Sequence, residues 1–203
     1  VQQTQEAAVA PALASALINA VTYAGEQLSG LIECPIRLIG THVERLRLER
    51  LPGLIEGEDR LVTAIYLAFS GPFEGHVVLS FSPDAAAELA SRLLMEPVDG
   101  SCELDEMAQS ALGEIGNITT SAFLTSIANA FQYAVHPSPP VVVQDMIGAL
   151  LSNVVVELAL ESTHALLVHT VFEVDGEAVQ GELMLLPTNQ SCDSLESRLA
   201  SCK

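Results

Sequence analysis

"RLVTAIYLAFSGPFEGHVVLSFSP" (residues 60–83) and "HALLVHTVFEVDGEAVQGELMLLP" (residues 164–187) carry one plan at two places in the chain. In each, an apolar β-rich run reaches a Gly. A second Gly follows, then alternating apolar residues, then Pro. Apolar runs bounded by Gly-containing turns read as strands joined in a hairpin. The spacing predicts strands at 60–69 and 76–81 around the turn 71–75, and again at 164–174 and 182–187. A repeat of this length is too long for a solenoid unit. It fits two halves that share one sheet about a pseudo-twofold axis.

The flanking segments follow the same order. Residues 12–32 read as a helix, with Pro11 suited to its first turn and Pro35 ending it at Cys34. Residues 36–51 read as extended, and 82–95 as a helix with Ser82 as N-cap, Pro83 at the first helical position and Asp84 in the first turn. The second half replays this: a long helix at 103–131, extended chain at 139–147, and a short closing helix within 188–202. An additional strand is expected at "NVVVELALES" (153–162). Hairpin connections favour a largely antiparallel sheet. The expected architecture is α+β: a single domain over 1–203 made of two repeats, about 12–95 and 103–200, each helix-strand-strand-strand-helix, with both long helices on one face of a shared sheet.

Composition narrows the function classes. Formal charge is −18, from 26 acids against 8 bases, and no Lys or Arg occurs between Arg92 and Arg198. Such a surface repels nucleic-acid phosphates and anionic lipid, so neither is expected as a partner. It serves solubility, or a docking face for a Lys-bearing protein. The chain is 49% apolar without Trp, so Leu, Val, Ile and Ala must build the core. No run approaches the ~18 apolar residues of a membrane span, and the first residues lack the basic start of a signal peptide. Cys34, Cys102, Cys192 and Cys202 form no C-x-x-C pair, and the five His are scattered, so no metal site is expected. A reducing cytoplasmic setting fits.

Within the second long helix, "ALGEIGNITT" (111–120) interrupts helix-forming chain with Gly113 and Gly116 beside Glu114 and Asn117. Each Gly costs a helix interior about 1 kcal/mol relative to Ala. At 100° per residue, Leu104, Ala108, Ala111, Ile115, Ile118 and Ala122 form an apolar stripe, widened by Leu112, Phe123 and Ala130. Glu114 and Asn117 fall off it and neighbour each other. Ser110 and Ser121 extend the row. Two roles suit the glycines: tight packing on the sheet, or a flank that a partner's backbone can approach. No nucleophile–base pair is evident.

"SALGEIGNI" (110–118) resembles the signature of the CheC/CheX/FliY phosphatases of bacterial chemotaxis: Ser or Asp, three residues, Glu, two residues, Asn. "YLAFSGPFEGHVVLSFSPDAAAELASRLL" (66–94) is similar to the family's middle section, and the duplicated plan is similar to that of CheC. The resemblance implies removal of the phosphoryl group from the Asp of a CheY-like receiver domain. The receiver brings the aspartyl phosphate, a Mg²⁺ and a Lys, so this chain is expected to bind no cofactor of its own. Carried over, Glu114 pairs with the receiver Lys and Asn117 positions the attacking water, while Ser110 and Ser121 would line the docking face. CheC carries the motif on both long helices. Here the first helix places Ser15 and Ile18 where Glu and Asn would stand, and a one-residue shift pairs Asn19 with Ala16. Neither register gives E-x-x-N, so one active site per chain is expected. The resemblance also implies CheD as a possible partner through residues 82–95. A non-catalytic adaptor of the same fold, binding CheD, a receptor complex or the flagellar switch, is the alternative.

Overall fold

The computed structural model describes residues 9–51, 59–100, 104–158, 164–174, 177–179, 181–188 and 191. Its strands are β1 (Ile36–Arg47), β2 (Leu61–Ser70), β3 (Gly75–Phe81), β4 (His136–Pro137), β5 (Val141–Met146), β6 (His164–Val174), β7 (Glu177–Val179) and β8 (Gly181–Pro187). They form one sheet in which every pairing is antiparallel. The order is β1-β6-β8-β3-β2, with β4 and β5 in line along the free side of β2, and β7 beside β6. The two hairpins meet in the middle, where Val78 of β3 lies opposite Met184 of β8. The first strand of each half then crosses over. β1 pairs with β6 of the second half, and β5 pairs with β2 of the first. Each half thus supplies an edge strand to the other.

Burial on both faces explains why the central strands β2, β3 and β8 are so strongly apolar. Side chains alternate between faces along a strand. Ile65, Leu67 and Phe69 of β2, Val77 and Leu79 of β3, and Leu183 and Leu185 of β8 join one core beneath α1 (Pro11–Ile32), α2 (Pro83–Leu94) and α3 (Glu106–Phe131). Their neighbours Val62, Ala64, Val78, Met184 and Leu186 face the other way. There they pack with Leu48 of a short 3₁₀ segment (Leu48–Arg50), with Leu51 just after it and with α4 (Ile147–Leu158).

The helix α4 corrects one expectation. Residues 153–158 are helical rather than a strand, and 159–163 lie outside the described residues. The run Val154-Val155-Val156 favours strand by propensity, but Ile147, Leu151 and Val154 recur at helical spacing and are all buried. The second face of the sheet needs a cover, and this stripe supplies it. The closing helix expected within 188–202 falls almost wholly outside the described residues.

The start of α2 follows its sequence signals. Ser82 accepts a hydrogen bond from the Ala85 N–H at 3.2 Å, with Pro83 and Asp84 in the first turn. The helices α1, α2 and α3 end on Glu33, Met95 and Gln132, each in the left-handed region at φ 55°. Cys34 is buried, and its sulfur accepts from an Arg92 guanidinium N–H at 3.2 Å. No helix among the described residues is long and apolar enough to cross a membrane.

Candidate active site

Asp105 caps α3, its carboxylate accepting from the Ala108 N–H at 2.8 Å. From there the helix runs 26 residues against α1, α2 and β2. Packing on three sides buries a wider arc than the apolar residues alone mark out. Ala108, Ala111, Ile115 and Ala122 are buried as expected, and so are Gly116, Thr119, Thr120 and Leu124. Ile118 is only half-buried and Ala130 is exposed.

The two glycines separate in role. Gly116 is buried, and a Cβ there would collide with Ile65 Cγ2 of β2. Its function is close approach to the sheet, not to a partner, which corrects the open-flank reading at this position. Gly113 is half-buried on the outer side, where a Cβ would sit 3.8 Å from Pro140 Cγ, an ordinary contact distance.

Glu114 and Ser110 are exposed, and Asn117 is half-buried one turn after Glu114. Together with Glu106, Gln109 and Gly113 they form one wall of an open cleft of about 750 Å³. The opposite wall is residues 137–140 with Val142. Ser121 is half-buried on the same helix but does not line the cleft. Of the row read from the sequence, Ser110, Glu114 and Asn117 line the cleft and Ser121 does not.

The second wall was not foreseen, although its signal is present. After α3 the chain returns along β2, pairing His136 with Ser70 and Pro137 with Phe69. Pairing resumes at Val141 opposite Tyr66. Between these points residues 138, 139 and 140 stand opposite only Leu67 and Ala68, so the strand bulges by one residue. Pro139 and Pro140 lack the N–H that a ladder needs, which is why the run breaks here. Ser138 spans the gap. Its N–H donates to the Ala68 carbonyl at 2.8 Å, and the Ala68 N–H donates to Ser138 Oγ at 3.1 Å.

The cleft is acidic and polar. Glu106 and Glu114 lie on its helix wall, and no Lys, Arg, His or Cys lines it. The bases sit elsewhere: Arg37 lies 3.9 Å from Glu173 and Arg60 3.6 Å from Glu182. Arg45 and Arg47 flank His164, whose pKa is lowered below the usual imidazole value first by burial and then by these two charges. Among the described residues no group of three His, Cys, Asp or Glu side chains could hold a metal. The arrangement can bind a cation through a carboxylate and present an amide, both donor and acceptor, one helical turn away.

Residues 63–156 match the family model "Chemotaxis phosphatase CheX". That span includes most of β2, and β3, α2, the E-x-x-N helix and the proline wall. The chain is also 28% identical over 179 residues to the CheY-P phosphatase CheC of Bacillus subtilis (strain 168), covering 85% of this chain and 86% of that protein. By sequence the chain is thus similar to CheC and CheX proteins. Solved structures agree on the fold. Thermotoga maritima FliY superposes with a TM-score of 0.71 at 15% identity, over 97% of this chain and all of that one, its covered share being 100%. The CheX–CheY–BeF3–Mg complex from Borrelia burgdorferi gives 0.56 at 18% identity, over 86% and 97% of the respective chains.

Proposed function

We propose that this chain is a protein-aspartate phosphatase that dephosphorylates a CheY-like receiver domain. The observation that carries the reading is the cleft wall itself: Glu114 and Asn117 project from one rigid helix, one turn apart, into a cleft that can admit a partner. Similarity to proteins named CheY-P phosphatases, together with a fold shared with a CheX solved on CheY, supports the partner class.

In this reading Glu114 pairs with the receiver's Lys and fixes the docking register. The Asn117 carboxamide then holds a water in line with the phosphorus. An amide suits this because it donates and accepts without adding charge beside an anion. Phosphoryl transfer asks little covalent work of a protein, so positioning supplies most of the rate. The Mg²⁺ belongs to the receiver, where it neutralises charge on the phosphoryl oxygens. Anchoring by the buried face of α3 keeps both side chains from shifting as the complex forms.

The same reading takes the chain as one domain of two repeats, about 12–95 and 103–200, with a single competent site. The crossed first strands and the similar burial of α1 and α3 support it. The deciding experiment follows loss of phosphate from a phosphorylated CheY-like receiver with and without the protein. Faster loss is expected for the wild type and not for Asn117→Ala. Equal rates in all samples would leave the adaptor reading in its place.

A further inference from the structure

The proline wall faces the two functional side chains, and nothing in the motif accounts for it. Three features show that it is built rather than incidental. The bulge at 138–140 is pinned at its base, because Ser138 Oγ takes the Ala68 N–H at 3.1 Å and donates to the Pro139 carbonyl at 3.1 Å. Two consecutive prolines, Pro139 and Pro140, then hold the projecting backbone at fixed φ. On the other wall α3 carries Gly113, where an added Cβ would come into contact with Pro140 Cγ at 3.8 Å.

The two walls also differ in chemistry. The helix wall offers the Glu106 and Glu114 carboxylates, and the opposite wall offers Pro139, Pro140 and Val142. A cationic side chain meets both demands when its charged end reaches a carboxylate and its apolar stem, or an apolar neighbour, lies on proline. Bulges often re-aim chain beside functional sites.

We propose that residues 138–140 form a docking wall that selects the receiver loop entering the cleft, a loop presenting a cationic side chain beside apolar surface. Ser138 is the positioning residue of that wall, and Gly113 sets the width of the slot. This rests on the phosphatase reading above. It adds the wall across the cleft as a determinant of affinity and partner choice, beside the Glu114 pairing proposed above.

The test measures binding of a CheY-like receiver loaded with beryllofluoride and Mg²⁺, alongside turnover of the phosphorylated receiver and thermal melting. Gly113→Ala relieves a helix-interior glycine without a clash, so its melting temperature should rise. Its Kd should nevertheless weaken by about fivefold, with turnover at saturating receiver within about twofold of wild type. Ser138→Ala should weaken binding similarly, and Ser138→Thr, which keeps the hydroxyl, should recover it. Loss of affinity in a variant that is more stable cannot come from misfolding. Unchanged Kd for Gly113→Ala overturns the proposal, even if Ser138→Ala binds poorly, since the bulge would then serve folding alone. Loss of turnover at saturation with unchanged Kd overturns it too. If Asn117→Ala loses turnover while both wall variants behave as wild type, only the wall falls. A wild type that neither binds nor dephosphorylates the receiver removes the phosphatase reading and the wall with it.

Discussion

The long helices α1 and α3 end on equivalent left-handed caps, Glu33 and Gln132, which are 99 residues apart. At that spacing Leu13, Leu17, Ala20, Val21, Ala24, Gly25, Leu28 and Ile32 fall opposite Leu112, Gly116, Thr119, Thr120, Phe123, Leu124, Ile127 and Phe131, and all are buried. The inward faces thus occupy matching positions. The outward faces do not. Opposite Glu114 stands the exposed Ser15, and opposite Asn117 stands Ile18, still 39% exposed. The register also decides between the two alignments of α1, since Ala16 and Asn19 fall opposite Ile115 and Ile118 instead. A helix can lose a surface constellation without disturbing its packing, because the two depend on different positions. The fold therefore says where a site could be, and only the exposed residues say whether one is there.

The sharpest way to break the comparison is to exchange its functional side chains. On the proposed role of its amide in the transition state, Asn117→Ala should lower turnover by on the order of 10²-fold with little change in KM. Ile18→Ala, the matching change in α1, should leave turnover within about twofold of wild type in the same assay. Equal losses in the two variants would mean that α1 still takes part in dephosphorylation.

The buried faces can be tested through Gly116. The packed methyl of Gly116→Ala has to displace the buried Ile65, at a cost of about 1–3 kcal/mol, offset by about 1 kcal/mol of helix propensity. Its melting temperature should fall, the opposite of Gly113→Ala three residues earlier. A rise in both would show that Ile65 relaxes and that close approach is not the reason for glycine at 116.

Smaller effects are expected from the charge. Glu114→Ala removes the proposed partner of the receiver Lys, so receiver affinity should weaken by up to about fivefold at low salt, and the difference from wild type should shrink as salt screens it. A loss of affinity independent of salt would assign Glu114 a contact other than an ion pair. The smallest effect belongs to Ser15→Ala. It should leave turnover unchanged and shift stability by no more than about 0.5 kcal/mol, read by denaturant melts.

Much of this was legible in the chain because it depends on local chemistry or on repeated pattern. The duplicated hairpins, the antiparallel sheet, the capped start of α2 and the outward row of Ser110, Glu114 and Asn117 follow from turn residues, alternation and helical period. Those signals lie within a few residues of one another. Three features needed the tertiary structure. Residues 153–158 carry strand propensity in their valines, but the uncovered second face of the sheet draws Ile147, Leu151 and Val154 into a helix. Gly113 and Gly116 look alike in "GEIG", and only the approach of β2 gives one to the core and leaves the other at the cleft. The cleft itself exists because β4 and β5 of the second half pair with β2 of the first, which carries the bulge at 138–140 across to face α3. Sequence pattern reports what each residue prefers beside its chain neighbours. Which distant segment becomes the opposite wall is settled by the pairing of strands far apart in the chain.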